Sequence, residues 1–470
     1  MNDNRSYALD ALRGYAIVTM VLSGTIAYSI LPGWMYHAQV PPPAHVFNPA
    51  LPGITWVDLV FPFFLFAMGA AFPFSIKKRM ERGESNLKLV CDGLKRGVQL
   101  TFFAIFVQHF YPFILSNPQD ARAWGLSLLC FALLFPMFMR IPVKMPGWAH
   151  TVIKLAAYAI ALVLMLTVKY ADGREFDPRF SNIIILILAN MALFGTLIYV
   201  FTMKSKALRI ALLPFIMAVC LGKNVENSFV SEIYRFTPLD WMYRFEYLKY
   251  LFIVLPGSIA GEYLLEWMNG RNRTGQAPQA KEKGISCQIL FISIGLVVVN
   301  LCCLYNRWLL ANLLINMALL CYGYFILRKA ATVNTRLWKK LFVAGGYLVL
   351  LGLFFEAYQG GIKKDHATYS YYFLTSGLGF MTLIAFHVIC DYYKCRRSTS
   401  FLVMSGQNPM IAYVATSLFT VPLLSLTGIY PVFAHFHQNA WMGFLQGVIL
   451  TAIAVLVTMF FTKIKWFWRT

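Results

Sequence analysis

The chain has 470 residues, of which 59% are hydrophobic and 13% charged, well below the roughly 25% charged residues of a soluble domain. Its mean hydropathy of +0.61 excludes a soluble globular protein. The net charge of +21 does not point to nucleic acid, because the basic residues sit in short runs between apolar stretches of about 20 residues, the length that crosses a bilayer; loops facing an anionic leaflet explain it.

In chain order, about fourteen stretches have spanning length, within a range of roughly 11–14. They run near Leu9–Leu31, Trp56–Ile76, Gly97–Leu115, Trp124–Met139, Thr151–Val168, Asn182–Met203, Ile210–Leu221, Leu248–Trp267, Ile285–Leu304, Trp308–Leu327, Leu341–Phe355, Tyr371–Cys390, Phe401–Leu426 and Trp441–Phe461. The expected fold is all-α, a polytopic integral membrane protein. By our count about 30 of the 41 Lys and Arg fall in every second loop, which sets both termini on the cytoplasmic side. Asp3 and Asp10 precede the first apolar run and no small-residue cleavage pattern follows it, so that helix is read as part of the mature fold. The hydrophilic stretch 268–284 reads as a cytoplasmic linker between an N-terminal helical bundle, 1–267, and a C-terminal one, 285–470.

The first helix opens with LDALRG, carrying Asp10 and Arg13. Both are costly in apolar surroundings unless paired. They read either as a structural pair at the cytoplasmic edge or as a place where Arg13 meets a phosphorylated cofactor. The next loop, Pro32 to Thr55, has no Lys or Arg and is expected outside, together with His37 and His45. A histidine in such a loop can transfer protons. Asp58, in the first turn of the following helix, either caps that helix or orients a histidine.

Further outer segments mix charges with aromatics. Lys223 to Tyr247 includes Glu232 and Trp241, a mixture that suits a sugar as well as an interfacial aromatic belt. The loop Glu356 to Ser370 carries Lys363 and Lys364 beside Asp365, on the side otherwise poor in positive charge. Two lysines there suggest an anionic partner, an ion pair with Asp365 or a solvated loop. Near the inner end of a late helix, SGQNPMIAY makes a broken helix start at Gly406, Asn408 and Pro409. Exposed N–H groups at such a break can seat a phosphate, and Asn408 followed by proline is equally a helix cap. The nine cysteines form neither a disulfide nor a metal framework, and CxxC, HExxH, dinucleotide and Walker signatures are absent. No metal is expected.

LDALRG followed by an outer histidine loop and GITWVDLVFPFFLFAMG resembles the heparan-α-glucosaminide N-acetyltransferase family and its bacterial relatives of unassigned function. The resemblance is close over Leu9 to Gly69 and recognisable again at GQNPMIAY. It implies an acyl-CoA-dependent membrane acyltransferase that takes an acetyl group from cytoplasmic acetyl-CoA and delivers it to an amino sugar or sugar hydroxyl on the outer face of a bacterial inner membrane. It makes His45 the first candidate for the essential histidine, with His37 second. Asp58 joins them as a catalytic residue, Arg13, Asp10, Gly406 and Asn408 would face the donor, and Trp241, Glu232, Lys363 and Lys364 the acceptor. The partners are acyl-CoA, the sugar and membrane lipid, not nucleic acid, and a homodimer is left open. The chain departs from the family's Val-Asn pair, with Ser23 and Gly24 at those positions. The rival reading is a transporter or flippase of a sugar or lipid-linked sugar, using midmembrane polar residues such as Asn190, Asn300, Asn312 and Asn316; a non-catalytic scaffold is the third.

Overall fold

The computed structural model describes residues 6–139, 146–274 and 280–469. Its helices include α1 (Tyr7–Thr25), α2 (Trp56–Phe72), α3 (Asn86–His109), α4 (Ala121–Phe138), α5 (Gly147–Thr167), α6 (Ile183–Thr202), α7 (Leu213–Leu221), α8 (Leu251–Thr274), α9 (Ala280–Tyr305), α10 (Leu309–Leu327), α11 (Val333–Phe354), α12 (Tyr369–Phe386), α13 (Ser400–Gln407), α14 (Pro409–Val414) and α15 (Ala440–Lys463). Among the described residues the only strand-like pairing is the bridge of Met139 with Trp468. Twelve helices among the described residues are long and apolar enough to cross a membrane, and each coincides with a stretch read from the sequence. The protein is therefore an all-α, multi-pass membrane protein. The other two stretches are α1 and α3, which carry Asp10 and Arg13, and Lys88, Asp92, Lys95 and Arg96, in their first halves. At 1.5 Å per residue α1 is about 28 Å long, close to the thickness of a hydrocarbon core.

Several boundaries differ from the sequence reading; the expected stretch Gly97–Leu115 is α3, which starts at Asn86 and ends at His109, followed by a separate turn of helix at Pro112–Leu115. The first helix stops at Thr25 rather than Leu31, because the backbone beyond it finds other partners. Ala27 N–H donates to Gly443 O at 3.2 Å, and the Tyr36 hydroxyl donates to Ala27 O at 2.7 Å while accepting from Leu31 N–H at 2.9 Å. Ile26, Ala27 and Leu31 are thus buried without being helical. The stretch Phe401–Leu426 is broken at Asn408, which separates α13 from α14. Of the expected linker, 275–279 lies outside the described residues, while the residues before it continue α8.

The segments before and after that linker share one hydrophobic core. At its centre are α2, α8 and α12; the span containing α2 is 78% buried, against 17% for Gly147–Thr167 and for Lys206–Asn224 at the periphery. A helix apolar on every face has to be buried, and WVDLVFPFFLFAMGAAF is such a helix. It meets α8 backbone to backbone. A Cβ on Gly69 would run into Val254 O, and one on Gly257 or Gly261 would run into Phe66 O or Ala70 O, the small-xxx-small solution to close packing in lipid. The same device joins α1 to α13, where Gly14 faces Leu402 O and Gly406 faces Asp10 O. At the start of α1, Asp391 accepts from the N–H groups of Tyr7 and Ala8 at 3.2 and 3.1 Å and from the Ser6 hydroxyl at 3.4 Å. It thereby supplies acceptors for the helix's orphan donors.

Candidate functional site

The loop between α1 and α2 folds back over the start of α2, and Asp58 is the reason. Its Oδ2 accepts from Thr55 N–H at 2.9 Å, from Ala38 N–H at 3.2 Å and from the Thr55 hydroxyl at 3.3 Å. The bond to Thr55 N–H is the reciprocal half of a capping box. The other oxygen, Oδ1, lies 2.9 Å from His37 Nδ1. Asp58 therefore caps its helix and holds a histidine at once, and it is fully buried. Tyr371 of α12 donates its hydroxyl to Asp58 O at 2.7 Å and fixes the helix start from behind.

The second nitrogen of His37 meets a residue 328 positions away: Nε2 lies 2.6 Å from Asp365 Oδ2. Gly53 N–H donates to Ile362 O at 2.8 Å and stitches the two loops together. Lys364 brings its Nζ to 3.8 Å from Asp58 Oδ1. Side-chain exposure rises from 0% at Asp58 through 18% at His37 to 42% at Asp365, so the cluster runs from the protein interior to solvent. Burial opposes a charge on His37, but the bonds with Asp365 and Asp58 outweigh it and raise the imidazole above its ordinary pKa. Burial likewise pushes Asp365 up, yet His37 and Lys364 hold its carboxyl below the usual range. A histidine between two carboxylates is equipped to hold and pass a proton.

The family model described as "Domain of unknown function (DUF5009)" matches residues 5–264, more than half of the chain. The chain belongs to this family. No curated protein matches it. The DUF5009 segment holds His37 and Asp58 but ends before Lys364 and Asp365, so the site is completed by residues beyond the matched region.

Of the other expected site residues, His45 in the DUF5009 segment has different neighbours. It sits at φ 48° with its ring 5.1 Å from those of Tyr28 and Tyr36, and the Tyr28 hydroxyl donates to its carbonyl at 2.9 Å. Ser23 bonds its hydroxyl to Met20 O at 2.8 Å within α1, and a Cβ on Gly24 would meet nothing. Glu232 is exposed on the short helix Phe229–Arg235, and Trp241 is half-buried against the core. Lys363 closes a turn, its N–H donating to the Thr368 hydroxyl at 3.2 Å.

The expected donor-facing residues come together where α1 crosses α13. Arg13 Nη1 donates to Gly406 O at 3.3 Å, Asp10 is buried, and Arg96 of α3 lies near enough to feel the charge of Arg13. Asn408 is fully buried, its amide donating to Trp466 O at 2.8 Å and accepting from Trp468 N–H at 3.2 Å. Between this crossing and Asp58 lies an apolar cavity of about 40 Å³, lined by Ile17, Met20, Phe61, Phe64, Leu100 and Met410 among others. Ile17 and Met20 lie one and two turns beyond Arg13, and Phe61 and Phe64 one and two turns beyond Asp58.

Sequence reasoning missed Gln39, Asp365, Arg96 and Asp391. In the sequence Asp365 is a neighbour of two lysines, and nothing local connects it with His37.

Proposed function

We propose that the chain is a transmembrane acyltransferase that passes an acetyl group from cytoplasmic acetyl-CoA to an amino sugar or sugar hydroxyl on the outer face of a bacterial inner membrane. The observation that carries this reading is His37, held by a buried Asp58 on Nδ1 and joined through Nε2 to the more exposed Asp365. Membership of DUF5009 and the LDALRG and DLVFP motifs support it. In this reading the essential base is His37. His45 is a member of an aromatic stack.

The chemistry required is modest. A thioester is already activated, so the protein has only to remove the acceptor's proton and stabilise the developing oxyanion. His37 takes the proton, Asp58 fixes its ring and tautomer, and Lys364 is the cation nearest the reacting centre. Acetyl-CoA would supply the thioester. Arg13 and Arg96 are the groups fitted to hold its phosphates; Asn408, its amide committed to backbone, stays structural.

The transporter reading draws less support. Asn300 donates to Asn316 Oδ1 at 2.8 Å, Asn312 to Asn300 Oδ1 at 3.1 Å, and Asn316 to Asn312 Oδ1 at 2.8 Å, a closed network buried between α9 and α10. Asn190 donates to Leu186 O and Met242 O, both at 2.9 Å. The reading is tested by calorimetry of acetyl-CoA with the detergent-purified protein, followed by release of coenzyme A against a panel of sugars. Saturable binding and acceptor-dependent release are expected; no binding of acetyl-CoA would rule the proposal out.

A further inference from the structure

His37 cannot act as a base in the arrangement described, because both of its nitrogens are occupied. One carboxylate has to yield. Asp58 is buried and its Oδ2 receives three hydrogen bonds, so it is fixed. Asp365 is different: its side chain is 42% exposed and its carboxylate faces His37, while its backbone is gripped. The Gln39 amide accepts from Asp365 N–H at 3.0 Å and donates to Asp365 O, and Gln39 itself is fully buried. The main chain of Asp365 is held at both its N–H and its carbonyl, whereas its side chain is the most exposed of the cluster and, among the described residues, is held by His37 alone.

Resting on the acyltransferase reading, we propose that Asp365 is the acceptor-binding residue, that it swings from His37 Nε2 to a cationic primary amine of the acceptor, and that Gln39 is the positioning residue which holds it there. A carboxylate at the solvent end of the cluster is a charge-assisted partner for an ammonium group and offers a neutral hydroxyl much less. It selects amines. Once Asp365 has turned away, His37 keeps one carboxylate partner instead of two and holds a proton less tightly, so its own proton passes to water.

The ammonium held by Asp365 gives one proton to His37 Nε2, and the free amine attacks the thioester carbonyl. The new C–N bond forms, the C–S bond breaks, and the second proton leaves with the thiolate as free coenzyme A thiol. His37 then releases its proton to water past Asp365. One ammonium and one thioester become one amide, one thiol and one proton.

The test compares glucosamine with glucose as acceptors at saturating acetyl-CoA, measuring coenzyme A release by wild type, Asp365→Asn, Asp365→Glu and Gln39→Ala. Wild type is expected to prefer glucosamine. Asp365→Asn is expected to raise KM for glucosamine at least tenfold with KM for acetyl-CoA unchanged, Asp365→Glu to restore most of it, and Gln39→Ala to raise the same KM by a smaller factor. Acetyl-CoA calorimetry on each variant reports whether it is folded. As a readout independent of turnover, glucosamine should shift the His37 nitrogen signals of ¹⁵N-histidine-labelled wild type and leave those of Asp365→Asn in place. Equal turnover of glucose and glucosamine, or a fall in kcat with KM for glucosamine unchanged, overturns the proposal while sparing the acyltransferase. No coenzyme A release by wild type with any sugar overturns both.

Discussion

The two ends of α1 are built on opposite principles. At its N-terminal end, Gly14 and Gly406 bring α1 and α13 into backbone contact, and the Arg13, Asn408 and Asp391 side chains are bonded to main-chain groups. Past its C-terminal end, two loops far apart in sequence meet side chain to side chain, and the Asp365 partner in the His37 cluster reaches solvent. The first arrangement holds helices together. The second puts titratable groups at a solvent boundary, where proton transfer is useful. The contrast predicts that substitutions at the Gly14–Gly406 crossing change stability, whereas substitutions around His37 change chemistry in a protein that still folds.

The largest effect expected is on turnover. His37→Ala should lower acceptor-dependent coenzyme A release by about 10²–10⁴-fold, the usual worth of a general base, with acetyl-CoA binding retained. His45→Ala, which removes a ring packed on Tyr28 and Tyr36, should retain most of the rate. Gly406→Leu should come next. Its side chain would collide with Asp10 O, and because backbone rather than a rotamer must move, the loss should be at least the 1–3 kcal/mol or so of ordinary overpacking, read as a lowered Tm in detergent.

Asn408→Ala offers a finer cut. It strips the Trp466 carbonyl and the Trp468 N–H of their partner, which should cost about 1–3 kcal/mol and loosen the C-terminal tail without changing KM for the acceptor. The smallest effect is on the pH profile. The charged groups facing His37 are Asp58, Asp365 and Lys364, and the net result is a raised imidazole. A base works only when deprotonated, so kcat/KM should fall as pH drops through a value above the ordinary 6.5 or so of histidine. Asp365→Asn removes one of the two groups that hold the proton and should move that acid limb to lower pH; a limb that stays put would show that Asp365 does not act on His37.

Much of the fold is legible in the chain because lipid imposes a simple rule: each crossing needs about 20 apolar residues. The altered boundaries at the end of α1 and at Asn408 arise from contacts that pattern cannot carry. Tyr36 and Gly443 satisfy the backbone where α1 was expected to continue, and Asn408 reaches the tail 58 residues on. The site was legible in part. Asp58 and His37 belong to one local unit, and the capping box at Thr55 and Asp58 is readable from sequence. The choice of His37 over His45 depends on how the loop turns, which is set by Ala38 and Thr55 donating to Asp58. Asp365 was out of reach because its partner lies 328 residues away and its own neighbours, two lysines, offer a sufficient local explanation of its charge.

His37 is the residue on which the proposed chemistry turns. The most direct measurement is acceptor-dependent release of coenzyme A from acetyl-CoA by purified wild type, His37→Ala and His45→Ala side by side, with acetyl-CoA affinity measured on the same samples. Release that disappears with His37, survives without His45 and leaves donor affinity intact in both is the result predicted. Release that survives without His37 and disappears without His45 would contradict it and return the base to the aromatic stack.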